Sequence, residues 1–216
     1  MGRRIRGLDA DERRAERREQ LLDAALDLFS ANGYINTSIE QICTTAYVGT
    51  KSFYEVFENR ETCYLALLQR TSERLEADMV AVAEQAAEQA AGNEREAVPR
   101  LIAAFAHALV DDPRVARVTF GMASGISATI ERQRRTNRRW AAGFLEKIWE
   151  RYDGTSAGGL DERMRHAVAI GLVGGLFDLI SDWLLDANLK SETELEALID
   201  DMTTFYITVR RGLAGH

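Results

Sequence analysis

Five side chains between Thr50 and Glu55 have the types that read a nucleic-acid duplex: Thr50 and Ser52 carry short hydroxyls, Lys51 a mobile cation, Tyr54 a phenol and Glu55 a carboxylate. Hydroxyls can donate to phosphate oxygens, a lysine can meet a phosphate or a guanine edge, and a carboxylate can accept from cytosine. Glu55 also follows Lys51 by four residues, where it could instead orient that cation, so two roles stay open for it. Such groups act together only if they share a face. Phe53, Val56 and Phe57 supply the apolar side of a short helix, which leaves Thr50, Lys51, Tyr54 and Glu55 projecting outward.

The elements that must position these groups are legible upstream. Thr37 and Glu40 have capping-box spacing, and Ile39, Ile42, Cys43 and Ala46 then recur at helical intervals. After Tyr47-Val48-Gly49 the second short helix begins, with Gly49 an acceptable N-cap. Before them, Leu22, Ala25, Leu26 and Phe29 form an apolar stripe that Asn32-Gly33 terminates. Two short helices joined by a tight turn are the shape of a DNA reader.

Residues 17 to 61, about a fifth of the chain, resemble the DNA-binding domain of the tetracycline-repressor (TetR) family. The resemblance rests on Ala24-Ala25, Leu28-Phe29, Gly33-Tyr34, Thr37, Ile42, Ala46, Val48, Phe53-Tyr54, Phe57 and Arg60, in the family's order and spacing. It implies that Thr37 contacts phosphate as well as capping its helix, that Tyr54 contacts phosphate, and that Arg60 grips the DNA backbone rather than being ordinary surface charge. Tyr47 stands where the family usually has a glycine in a left-handed conformation, at a cost of about 1–2 kcal/mol. Gly49 replaces the usual serine. Glu55 and Val56 fill positions where relatives often carry basic or aromatic residues.

With 216 residues, 46% of them hydrophobic, the chain can bury a real core as one large or two small domains. A net charge of −7 argues against indiscriminate coating of nucleic acid. Residues 1–60 hold nine basic against ten acidic side chains, a balance of −1, and the remaining 18 basic and 24 acidic give −6. DNA affinity must therefore come from placement, through arginines in the N-terminal arm and a few phosphate contacts. No uninterrupted apolar run reaches the roughly 18 residues of a membrane span, and the first 20 residues are charged rather than signal-like, which leads to the expectation of a cytoplasmic protein with no membrane partner. Cys43 and Cys63 have neither disulfide-framework nor metal-ligand spacing; they read as buried small hydrophobes, with a redox-sensing thiol as the alternative.

The rest of the chain reads as further helices with no strand pattern. Asn59 caps a long fourth helix ending near Gly92-Asn93, Pro99 fits the first turn of a fifth, and Asp112-Pro113 opens a sixth. Breaks near Gly121 and Gly125 lead to a seventh helix ending near Tyr152, followed by a loop at 153–159. Asp161 opens the eighth, and Ser191 with Glu194 caps the ninth. The eighth carries two apolar stripes, Val168, Leu172, Gly175, Leu179 and Trp183 on one side and Ile170, Val173, Phe177, Ile180 and Leu184 on another. Together with Leu195, Leu198, Ile199, Met202, Phe205, Tyr206 and Val209 of the ninth, this pattern suits a four-helix interface between two subunits, with the monomer core as the alternative.

Within the larger part, Phe105, Phe120, Trp140, Phe144 and Phe177 are candidates for an effector pocket, which the resemblance places among these helices, or for core packing. Arg132, Arg134, Arg135, Arg138 and Arg139 read as a solvated face. His107, His166 and His216 are isolated, His107 reads as a core or pocket residue, and no metal pair, nucleophile elbow or Gly-rich phosphate loop is present. The expectation is an all-α, homodimeric, ligand-responsive regulator without catalysis, cofactor or metal. Residues 1–60 would read double-stranded operator DNA, and 61–216 would bind a small apolar effector and dimerise, with repression as the family default and the fourth helix as mechanical link. The alternatives are a helical small-molecule-binding protein or an all-α enzyme without specific DNA recognition.

Overall fold

The computed structural model describes residues 9–89, 93–120, 127–153, 161–186 and 191–214, and all regular structure among them is helical. The helices are α1 (Ala10–Asn32), α2 (Ile39–Thr45), α3 (Thr50–Val56), α4 (Arg60–Gln89), α5 (Glu94–Val110), α6 (Pro113–Phe120), α7 (Ala128–Asp153), α8 (Glu162–Asp186) and α9 (Glu192–Ala214). They fall into two compact units, and the division is not a single cut at residue 60. The first unit holds the described residues of 1–71 and of 114–133, and the second those of 72–113 and 134–216.

Local chemistry explains most helix boundaries in the first unit. Asp9 caps α1 in a capping box with Glu12, and Gly33, at φ 77°, ends it by returning its N–H to the Phe29 carbonyl. Leu21, Leu22, Ala25 and Phe29 then face a shared core with Ile42, Cys43, Phe53 and Phe57, joined by Cys63, Tyr64 and Leu67 of α4. The Tyr64 hydroxyl donates to the Val118 carbonyl at 2.9 Å, which brings α6 into this unit. Asn59 caps α4, its Oδ1 accepting from the Thr62 N–H at 2.9 Å.

The cap of α2 corrects the sequence reading. Ser38, not Thr37, is the N-cap, in a capping box with Gln41. At the other end of α2, Tyr47 adopts the left-handed conformation at φ 55° while remaining 97% exposed. The Val48 N–H reaches back to the Cys43 carbonyl at 3.0 Å and the Tyr47 N–H to Thr44 at 3.3 Å, a Schellman closure with tyrosine in glycine's place. The turn is thus kept and its strain accepted, with buried Val48 as its apolar anchor.

In the second unit, α9 packs against both α5 and α8. The α5 helix starts earlier than expected: Asn93 is the cap, and Pro99 lies inside the helix in its second turn, where it donates no backbone hydrogen bond. Asp161 and Ser191 cap α8 and α9 as anticipated. The expected breaks at Gly121 and Gly125, the 153–159 loop beyond Asp153 and the end of the fourth helix at Gly92 lie outside the described residues.

The faces of α8 differ from the two anticipated stripes. Ala169, Leu172, Val173, Leu176 and Ile180 form its buried row, drawing on both stripes, whereas Ile170 is exposed. By length and composition α8 could cross a membrane, with a mean hydropathy of 1.7, and only 28% of that window is buried within the chain. Leu172, together with Leu198 and Met202 of α9, belongs to the core of the single chain, which removes all three from the expected dimer face.

Candidate nucleic-acid interface

α3 is short, seven residues, and its orientation is set by a single fully buried ring. Phe53 has no exposure and packs against Phe57, with ring centroids 5.6 Å apart. Burying such a ring contributes about 1.5–3 kcal/mol, enough to pin one face of the helix inward. The opposite face carries Thr50, Lys51, Tyr54 and Glu55, all exposed, with Ser52 half-buried beside them. Lys51 makes no hydrogen bond or ion pair among the described residues. Tyr54 is 57% exposed, its ring edge-on to Phe53 and its hydroxyl without a partner among the described residues.

Three expected contacts are placed differently. Thr37 is fully buried, and its hydroxyl donates to the carbonyls of Gly33 at 2.8 Å and Leu28 at 3.3 Å, so it offers no surface to a phosphate. Arg60 is half-buried; its Nη1 donates to the Thr37 carbonyl at 2.6 Å and to Ile35 at 3.3 Å, and the guanidinium lies 4.4 Å from the Tyr34 ring centroid. It clamps the turn between α1 and α2. Glu55 neither stands free nor meets Lys51: it pairs with Arg17 of α1 at 3.0 Å, and the same Nη1 lies 3.4 Å from the Ser52 hydroxyl. Arg17, 38 residues distant in sequence, was invisible to local spacing.

Thr50 also has an internal partner, the thiol of Cys43. Burial raises the Cys43 pKa, and the Thr50 hydrogen bond only partly offsets it. Burial pushes the Cys63 thiol up to about 12, against a smaller opposing influence of Arg18. Both cysteines are free and buried, which matches the packing reading rather than the redox one.

A family model, that of bacterial regulatory proteins of the tetR family, matches residues 21–67. Residues 21–67 belong to the tetR family. The TetR-family domain therefore spans most of α1, all of α2 and α3, and the first turns of α4, which contain every exposed group of the α3 face. No curated protein matches the chain. Solved structures share the TetR-like fold over nearly the whole length. The fatty acid degradation regulator FadR from Bacillus halodurans is 19% identical with a TM-score of 0.70, covering 92% of this chain and 95% of its own. FadR from Bacillus subtilis, solved with stearoyl-CoA, is 20% identical with a TM-score of 0.69, covering 88% and 98%. A TetR-like regulator from Rhodococcus sp. RHA1 is 22% identical with a TM-score of 0.63, covering 94% and 98%.

Beyond the TetR-family domain, the pocket candidates divide. Phe105 meets Phe177 edge-on at 5.5 Å and Trp140 stacks on Phe144 at 5.4 Å, all in the second unit, with Phe105, Trp140 and Phe144 packed against Met79, Leu101 and Ile148. Phe120 belongs to the first unit and the other four to the second. A concave surface of about 770 Å³ opens instead along α8 and α9, lined by Gly175, Leu179 and Phe205 with Asp178, Asp182 and Asp201. Of the expected dimer-face residues, Val168, Gly175, Leu179, Phe205 and Val209 keep partial exposure.

His107 and His166 each stand beside a carboxylate. His107 is exposed rather than in the core, its Nδ1 2.9 Å from Asp111, and His166 lies 3.2 Å from Glu146. Four of the five α7 arginines are exposed, while Arg134 is buried. Among the described residues no group of His, Cys, Asp and Glu has the geometry of a metal site.

Proposed function

We propose that this protein is a ligand-responsive transcription regulator that binds a roughly palindromic operator as a homodimer, represses from it, and leaves it when a small, largely apolar molecule binds. The observation that carries the reading is the solvent face of α3: Lys51 and Tyr54 present charge and hydroxyl with no partner among the described residues, on a helix whose other face is pinned by Phe53. Thr50 and Ser52 add short-range contacts. Two copies related by a two-fold axis would set two α3 helices in successive major grooves, about 34 Å apart. The work is placed in the cytoplasm, where bacterial DNA is, and no catalytic step is assigned.

The half-exposed row Val168, Gly175, Leu179, Phe205 and Val209 is the proposed dimer face, and a second copy would cover the apolar surface that α8 leaves open. Phe105, Trp140, Phe144 and Phe177 are the proposed effector contacts. The stearoyl-CoA held by the Bacillus subtilis FadR makes a long-chain acyl thioester the first ligand class to test. Hiding about 300 Å² of apolar surface would gain up to roughly 7 kcal/mol before entropic and polar losses, so micromolar binding is within reach. An effector favouring the DNA-incompetent arrangement by about 1–3 kcal/mol would suffice as a switch, with α4, which contributes to both units, carrying the change.

The test is selection of bound duplexes from a random-sequence pool, followed by fluorescence anisotropy with the recovered sequence. Lys51→Ala and Tyr54→Phe should each weaken binding without unfolding the protein. A lost phosphate contact lowers affinity evenly across sequences, whereas a lost base contact relaxes preference at one position by about 1–3 kcal/mol. Unchanged affinity in both variants would remove the α3 assignment. A protein that titrates with acyl thioester but forms no salt-sensitive DNA complex would favour the helical ligand-binding alternative.

A further inference from the structure

We propose that Arg17 is a DNA-contact residue of the reader, supplied by α1 and aimed by Glu55 and Ser52 of α3; this rests on the DNA-binding reading above. A carboxylate on the face that meets a polyanion is repelled by it, so Glu55 at that place requires a reason. Its partner provides one. Arg17 Nη1 reaches Glu55 Oε2 at 3.0 Å and stands 3.4 Å from Ser52 Oγ, in a pair whose side chains are 32% and 49% exposed.

The pair changes what α3 offers to a duplex. Glu55 loses its bare negative charge, and a planar guanidinium with five N–H donors is set beside the outward face that carries Lys51 and Tyr54. Among the described residues only Nη1 is engaged; Nη2 and Nε keep their donors for a phosphate oxygen, in the fork geometry that suits phosphate better than a lysine does. Ser52 adds a second point of fixation, which narrows the directions the long side chain can take. Glu55 is on this account a positioning residue that does not read cytosine, and the reader spans two helices far apart in sequence. The arrangement also answers how a segment with a net charge of −1 over residues 1–60 can hold DNA: one acid on the reading face is spent on aiming a base.

The experiment uses the full chain and a fluorescein-labelled 30-base-pair duplex carrying the sequence recovered by the wild-type protein, with Kd measured by anisotropy from about 50 to 300 mM salt. Arg17→Ala should weaken binding roughly five- to tenfold near 0.1 M salt and lower the slope of log K against log salt by about 0.9, the value of one phosphate. Arg17→Lys should restore most of that slope. Glu55→Gln should tighten binding more in the Arg17→Ala background, where the carboxylate is uncompensated, than in the wild type, and should leave base preference unchanged at every operator position. Circular dichroism melts confirm that each variant is folded.

An Arg17→Ala variant with wild-type affinity and slope, while Lys51→Ala or Tyr54→Phe is weakened, overturns the Arg17 contact and leaves the α3 interface standing. Relaxed preference at one position in Glu55→Gln, or an equal effect of that change in both backgrounds, overturns the positioning role. Absence of any salt-sensitive complex in the wild-type protein itself would instead overturn the DNA-binding reading from which the proposal starts.

Discussion

The two compact units hold their chain by different means. In the first, short-range hydrogen bonds set nearly every helix end: Asp9 with Glu12, Ser38 with Gln41, Asn59 with Thr62, each three residues apart. In the second, a buried polar chain joins segments far apart. Trp149 Nε1 donates to the Tyr206 hydroxyl at 2.9 Å, that hydroxyl donates to Glu94 at 2.7 Å, and Arg210 Nε donates to the same carboxylate at 2.9 Å. These bonds span 57, 112 and 116 residues of sequence. Burial, and then the adjacent Glu94 charge, push the Tyr206 pKa far above its ordinary value, so its proton stays in place to complete the chain. Both units have local caps, and the first has distant bonds of its own, such as that from the Tyr64 hydroxyl to the Val118 carbonyl; what sets the second apart is a connected chain of four polar side chains committed largely to its interior.

The strongest way to break this comparison is Trp149→Ala. It removes a ring that is 1% exposed and leaves the Tyr206 hydroxyl without its donor, and should cost about 3–5 kcal/mol in urea denaturation. Hydrogen exchange should then quicken first in α5, α7 and α9. Equal quickening in α2 and α3 would mean that the two units do not differ in how they are held. Tyr206→Phe is the milder version, expected at about 1–3 kcal/mol because the Trp149 N–H and one Glu94 interaction lose their partner without a large cavity.

Local strain in the first unit can be tested in the opposite direction. Tyr47→Gly should stabilise the protein by roughly 1 kcal/mol, the left-handed penalty of about 1–2 kcal/mol being reduced by glycine's greater freedom in the unfolded chain. A loss of stability would show that the exposed ring has a contact worth more than the strain. DNA affinity should change little, since the Schellman bonds of Val48 and Tyr47 involve backbone alone.

The smallest effect concerns the buried thiols. At neutral pH neither Cys43 nor Cys63 should react with a thiol reagent in the native protein, while both should react in denaturant. Cys63 titrates at about 12 when folded against an ordinary 9.0, so the folded state holds the proton more tightly. Its contribution to stability is therefore complete below pH 9 and declines as the pH rises toward 12, which pH-dependent denaturation of Cys63→Ala against wild type would reveal. Rapid native labelling would return the redox reading.

Helix number, helix type and most caps were legible because each depends on neighbours within one turn: apolar residues at helical spacing, Asp161 and Ser191 before a helix, Gly33 after one. The inward Phe53 and outward Lys51 and Tyr54 were legible for the same reason, since a seven-residue helix with one aromatic stripe has only one way to sit. Where two local solutions compete, the sequence alone did not choose. Thr37-x-x-Glu40 and Ser38-x-x-Gln41 both have capping-box spacing, and the core decided by burying Thr37. On α8 and α9, periodicity marked the apolar residues but not their partners, and tertiary packing took Leu172, Leu198 and Met202 inside while leaving Phe205 and Val209 partly open. The Arg17–Glu55 pair and the Trp149–Tyr206–Glu94 chain belong wholly to the tertiary structure. Periodicity is a property of one helix, but an ion pair or a buried hydrogen bond exists only once two helices have been brought within about 3 Å of each other.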